Sequence, residues 1–312
     1  MKKRMGKLIY MILICCLLLV SCSSIEHKSV SCPYPLRQIS MYTQKTGWGL
    51  SLEGEVLFTE NGIEHFKQVR NLKNTASASD RFASAAFIDK QTAYTARFCP
   101  DDNQLIVERT RNSGASWHQT FIDFEDYSDH CDAGSIFLGF ADEQHGYLLC
   151  CSTPALGLMT KLLFITDDAG ETFSFAADLT STIAGYPQGI TAVSDEQIYI
   201  AVTYHGTDSY LYQSTDCAKT WESIEIFSRT DDVQYVDGYA PVFYDRDNGV
   251  ILLKIMKEQA VCQLFTTKNA GDDWSLEREI PCDAPLYYSL SGDGRIYVID
   301  QSGSLEMYSN NS

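Results

Sequence analysis

The chain has 312 residues, 24 of them basic and 41 acidic, for a formal charge of −17, and 45% of it is apolar. That apolar share excludes a wholly disordered chain, and the acidity argues against nucleic acid and against an electrostatically held membrane surface as partners. The length suits one large β domain or two ordinary ones. The first element in chain order is an address. Lys2, Lys3, Arg4 and Lys7 precede an apolar run from Leu8 to Val20. A basic start and a run this short predict an export signal, because a membrane-spanning helix needs about 20 apolar residues.

The run ends in Leu19-Val20-Ser21-Cys22, followed by Ser23-Ser24. This resembles the lipobox of bacterial lipoproteins. The resemblance implies cleavage before Cys22, which then carries the lipid, and an extracytoplasmic domain anchored to the bacterial cell membrane. The alternative is a plain secretory signal or an uncleaved anchor. Without residues 1–21 the chain keeps 20 basic and 41 acidic residues, a charge of −21. Two or more acyl chains hold firmly because their burial energies sum. Residues 22–34 read as the lipidated cysteine and a short polar tether. Residues 35–312 show no linker or change of composition and read as a single domain.

Eight cysteines follow Cys22, at 32, 99, 131, 150, 151, 217, 262 and 282. An even number in an exported domain predicts disulfides, with connectivity open. The pairings expected here are Cys32 with Cys282, tying the ends, and Cys217 with Cys262, joining neighbouring repeats. Cys150 and Cys151 are adjacent, and each is expected to pair elsewhere or to stay buried as an apolar residue. No CxxC or HExxH spacing and no nucleotide fingerprint is present, so neither metal nor cofactor is expected.

The body of the chain repeats. Thr110 to Trp117, Thr166 to Phe173, Ser214 to Trp221 and Thr267 to Trp274 share one pattern, and Thr59 to Phe66 is a degenerate fifth copy. The copies start 51, 56, 48 and 53 residues apart, which is the mark of a repeat architecture. Each copy reads as a β-hairpin turn between short apolar strands. Asp or Asn at the third position (Asn61, Asn112, Asp168, Asp216, Asn269) caps backbone N–H groups. Glycine at the fifth position (Gly114, Gly170, Gly271) takes a positive φ. The closing aromatic (Trp117, Phe173, Trp221, Trp274) packs back onto the sheet. Trp48 reads instead as part of a Gly47-Trp48-Gly49 turn.

The pattern resembles the Asp-box, or BNR repeat, of sialidase-like β-propellers. The resemblance implies that the boxes are structural, sit between the third and fourth strands of four-stranded antiparallel blades, and face away from any active site. The remainder of each period supplies an inner strand, an acid-rich turn such as Asp142-Glu143-Gln144, and a second strand. The expected fold is therefore an all-β propeller of six blades, with seven as the alternative. The last blade, from about residue 286, lacks a box and a fourth strand, which an N-terminal strand can supply.

A ligand is expected near the axis, on the face opposite the boxes. Candidates there are Arg81, Arg97, Asp129, His130, Asp132, Tyr186, Tyr204, His205, Asp237, Tyr239, Tyr287 and Tyr288. The tyrosines and polar groups suit a peptide or glycan surface. A sialidase-like enzyme needs, by resemblance, three arginines, a Tyr–Glu nucleophile pair and an acid/base Asp. Only Pro35-Leu36-Arg37-Gln38-Ile39 and Tyr287-Tyr288-Ser289-Leu290 faintly suggest that family's motifs. The expected function is thus noncatalytic: binding of a protein or glycan, or assembly of an exported partner. A glycoside hydrolase is the alternative, marked by two facing carboxylates.

Overall fold

The computed structural model describes residues 25–72, 81–129, 131–203, 209–281 and 285–310. Cys22, His130, Tyr204, His205 and Cys282 lie outside them. The described residues form six antiparallel sheets arranged as blades. From the axis outward, the first blade is Leu36–Met41, Gly47–Ser51, Glu55–Thr59 and Lys67–Asn71. The second is Arg81–Phe87, Ala93–Cys99, Gln104–Thr110 and His118–Asp123; the third is Ser135–Phe140, Gly146–Cys151, Lys161–Thr166 and Ser174–Asp178. The fourth is Tyr186–Ala192, Ile198–Thr203, Leu211–Ser214 and a short outer strand, Glu222–Ser223.

In the fifth blade the inner strand is split into Tyr235–Gly238 and Val242–Phe243, both paired with Gly249–Met256; Ala260–Thr267 and Ser275–Ile280 follow. Asp237 therefore lies within the inner strand itself. The split falls at Pro241, which has no N–H to give to the ladder. The sixth blade is Pro285–Leu290, Ile296–Asp300, Leu305–Asn310 and, outermost, Ile25–Val30. Ile25 pairs with Asn310 and Val30 with Leu305, so the two ends of the chain close the ring in one sheet. The segment expected to be a tether thus contains a strand.

Alternation decides where the core lies. In Gly146–Cys151, Leu148 and Cys150 enter the core between the second and third blades, whereas Tyr147, Leu149 and Cys151 enter the core between the third and fourth. Both faces of the inner strands are covered, so they read as near-continuous apolar runs. Adjacent Cys150 and Cys151 accordingly point into different cores. No disulfide joins the described cysteines. The expected pairing of Cys217 with Cys262 is not formed: Cys217 is exposed on a box turn, and Cys262 is buried between the fifth and sixth blades.

The repeated turns share one hydrogen-bond plan. In the third blade the Gly170 N–H donates to Thr166 Oγ1 (2.9 Å), and Thr166 Oγ1 donates to Asp168 Oδ1 (2.8 Å). Asp168 also accepts from the Thr172 N–H at 2.9 Å and the Thr172 hydroxyl at 2.7 Å. Thr110–Asn112–Gly114–Ser116 and Thr267–Asn269–Gly271–Asp273 repeat the plan with an amide in place of the carboxylate. Ser214–Asp216–Ala218–Thr220 repeats it with Ala218 held at φ 63°. Each box also donates an N–H to the turn between the first two strands of its blade: Gly62 to Lys45, Ser113 to Gln91, Ala169 to Gln144, Cys217 to Glu196 and Ala270 to Asp247, at 2.8–3.2 Å. The acid-rich turns and the boxes therefore share one face.

A second periodic element went unread in the sequence. Trp48, Tyr94, Tyr147 and Tyr199 each sit second in their strands, and each reaches into the following blade. Trp48 Nε1 donates to Asp89 O (2.8 Å), Tyr94 Oη to Glu143 O (3.0 Å), Tyr147 Oη to Asp195 O (2.6 Å) and Tyr199 Oη to Ala270 O (3.0 Å). Trp48 is fully buried in a strand and is not a turn residue.

Candidate functional site

The inner strands of all six blades surround an axial cavity of about 960 Å³. Small side chains leave the space, notably Ala83-Ser84-Ala85-Ala86. Glycine draws neighbouring inner strands together: a Cβ on Gly189 would lie 2.7 Å from Ala240 Cβ, and one on Gly139 3.0 Å from Ile190 O. Hydrogen bonds then stitch the ring. Gln38 spans to Ala85 through both amide atoms, Ser84 Oγ accepts from the Leu138 N–H, and Thr191 Oγ1 donates to Pro241 O.

The lining is apolar and phenolic. Arg37 is the single charged side chain among the described lining residues, and no carboxylate is among them. Two lining residues, Tyr42 and Ser135, keep their hydroxyls buried, Tyr42 beside Ser40 and Ser135 beside Cys151. Burial pushes the Tyr42 phenol well above its ordinary range. Tyr287 lines the cavity within reach of solvent yet is surrounded by protein, and burial pushes it up to about 12, with the nearby Gln38 amide opposing part of the rise. On the rim, Ala155 and Leu158 bridge in a tight hairpin with φ 52° at Leu156 and 81° at Gly157, which holds Leu156 and Leu158 in solvent.

The sequence candidates divide. Tyr186, Tyr239, Tyr287 and Tyr288 line the cavity. Two of these are engaged in structure: Tyr239 Oη donates to Pro285 O (2.9 Å), and Tyr288 Oη donates to Ala240 O (2.9 Å) and Val250 O (3.0 Å). Asp132 sits on the rim and accepts from the Thr153 N–H (2.6 Å) and hydroxyl (2.8 Å), tying two loops together. Arg97 is on the second strand of its blade, away from the lining, with Nε and Nη1 buried and unpartnered. Arg81 begins an inner strand, and its side chain lies outside the described residues, as do Tyr204, His205 and His130.

Arg109 and Arg111 do share a cleft, but it lies on the box face beside Asp168 and Glu171. Arg229 lies over the Tyr210 ring at 5.6 Å, and Arg295 pairs with Asp293 on the box face at 2.6 Å. No group of three or more His, Cys, Asp or Glu side chains able to hold a metal lies among the described residues. Sequence reasoning missed Arg37, Tyr42, Gln38 and Ser135 as lining residues. The signal available for them was position, near the two ends of the inner strands.

Fold and cavity together define a six-bladed β-propeller with an axial pocket. No family model matches the chain, and no characterised protein matches it by sequence. Solved structures do resemble it. YCF48 bound to a D1 peptide superposes with a TM-score of 0.55 at 12% identity, over 94% of this chain and 97% of that one. A GH74 enzyme from Niastella koreensis gives 0.55 at 10% identity over 90% of this chain, which spans only 53% of the enzyme. The SapL1 lectin in complex with α-methyl fucoside gives 0.53 at 11% identity, over 86% and 89%. At such identities the likeness is one of fold.

Proposed function

We propose that this protein is a lipid-anchored, noncatalytic propeller of the cell envelope that receives a segment of an exported protein in its axial cavity. The chemistry of the lining carries the reading. In a chain of charge −17, the described lining residues offer one cation, several aromatic rings and no carboxylate. Glycoside hydrolysis ordinarily needs two carboxylates roughly 5–9.5 Å apart across the bond. A tyrosine nucleophile needs an activating base, whereas Tyr287 is held protonated by burial beside an amide. A peptide-bound neighbour of nearly equal length and the apolar rim hairpin support a protein segment as the occupant.

Anchorage also orients the ring. Ile25 pairs with Asn310, at the end of the sixth blade that carries the Leu290–Ile296 turn, hence at the box face. Only Ser23 and Ser24 lie between Cys22 and Ile25, a reach of at most about 11 Å over three peptide steps. A lipid on Cys22 therefore turns the boxes toward the membrane and the opposite face, with its rim hairpin, toward a partner.

The test is titration of the full-length protein in detergent with peptides from exported proteins and with neutral and acidic oligosaccharides. Gln188→Trp places a bulky ring on an exposed lining position. Saturable peptide binding that weakens at least about tenfold in this variant is expected. Turnover of an oligosaccharide, glycan binding alone, or peptide affinity indifferent to the blocked cavity would refute the reading. Metabolic lipid labelling lost in Cys22→Ala checks the anchor separately.

A further inference from the structure

We infer that Cys131 and Cys150 are a disulfide-forming pair that locks the connection between the second and third blades onto the third blade. The two sulfurs are already in contact at 4.0 Å, and both side chains are buried in the same core. A disulfide has a sulfur–sulfur distance of about 2 Å, so each sulfur has only about 1 Å to travel. Cys131 lies in the connection, where its N–H donates to Tyr127 O at 3.0 Å. Cys150 lies in the second strand, opposite Ile136. Cys151, its neighbour, faces the other core and cannot compete. Geometry thus selects one pair out of those the spacing left open. The Cys131 thiol is drawn below its ordinary value, chiefly by its hydrogen bond with Cys150, which makes Cys131 the more readily ionised partner.

The chemistry is thiol–disulfide exchange with a disulfide-bearing oxidant, either an envelope thiol oxidase or oxidised glutathione. The Cys131 thiolate attacks one sulfur of the oxidant, breaking its S–S bond and forming a mixed disulfide. The Cys150 thiolate then attacks Cys131 Sγ and expels the oxidant sulfur bonded to it, the other oxidant sulfur having left as a thiolate in the first step. Two electrons pass from the cysteine pair to the oxidant, and the protons of the two thiols end on its two sulfurs. Both sulfurs become inaccessible in the finished core, so the bond forms as the blade folds.

The consequence reaches the cavity. One residue beyond Cys131, Asp132 grips Thr153, and Gly134 and Ser135 line the pocket. The bond therefore fixes the rim as well as the blade.

Oxidation in the cell rests on the export reading; the pairing itself does not. The first arm unfolds full-length reduced protein, refolds it with oxidised glutathione, alkylates remaining thiols and digests it. A linked peptide pair containing Cys131 and Cys150 is expected, together with a thermal midpoint on the order of 5 °C above that of the reduced protein. Both cysteines recovered alkylated, or either joined to another cysteine, overturns the inference without recourse to a variant. The second arm repeats the mapping on protein taken from the envelope of the expressing cell. A link present in the first arm and absent in the second refutes export to an oxidising compartment and leaves the pairing standing.

Discussion

At the scale of single residues, the repeated turns are held by short polar side chains. Burial of Asp168 opposes its charge, but the Thr172 amide and hydroxyl and the Thr166 hydroxyl outweigh it and hold the carboxyl below its usual range. At Asp216 the Thr220 hydroxyl and amide lead, and the carboxyl falls to about 2. A depressed carboxyl contributes stability that is complete above its unfolded value, near pH 4, and is lost as pH falls through the folded value. Denaturant melts between about pH 6 and pH 2 should therefore show the domain weakening below about pH 4. Asp216→Asn should flatten that dependence while keeping the fold, because Asn112 and Asn269 already do the same work. Asp168→Ala loses the caps outright and should cost about 1–2 kcal/mol. Tyr288→Phe removes the single phenolic proton shared by the Ala240 and Val250 carbonyls and should cost about 1–3 kcal/mol in the same melts, without changing the cavity's shape.

At the scale of elements, the contrast is between strands the chain supplies in order and the one it supplies out of order. Ile25–Val30 sits beside Leu305–Asn310 although nearly the whole chain separates them. Deleting residues 25–30 exposes the edge of the sixth blade. Amide exchange should then accelerate in Leu305–Asn310 before it does in Ser135–Phe140, and equal protection of both would count against closure through this strand. The aromatic stitches act between elements as well. Trp48→Phe keeps most of the buried ring but loses the bond to Asp89 O, and a loss of about 1–2 kcal/mol is expected by denaturation.

At the scale of the molecule, charge and shape separate. The protein as a whole is strongly acidic, yet its cavity has no carboxylate among the described lining residues. An occupant therefore meets aromatic rings, hydroxyls and Arg37 instead of the field of the outer surface. The proposed anchor on Cys22 predicts that a bilayer-embedded quencher dims a fluorophore at Arg111 and spares one at Leu156; the reverse order would place the anchor on the wrong side. Binding through the cavity should also survive moderate salt better than binding to the acidic exterior, because contacts inside it are screened less.

The sequence by itself determined the architecture. Five turn signatures at a period near 50 required equivalent corners, and apolar strands between them required blades covered on both faces. These are local properties, written in contiguous residues. The boxes' hydroxyl at the first position was equally local and was legible at Thr110, Thr166 and Thr267. Tertiary structure decided the rest. Tyr239 and Tyr288, expected as ligand contacts, line the cavity and also stitch the ring, because only the ring brings Pro285 O, Ala240 O and Val250 O to them. Tyr42 and Ser135 looked ordinary and Arg37 stood out only within a faint motif, yet all three line one space, because an axis shared by six sheets has no counterpart along the chain. Cys131 and Cys150 became partners for the same reason: strand alternation turned Cys150 to one face and Cys151 to the other, and a distance of 4.0 Å cannot be read from a separation of 19 residues.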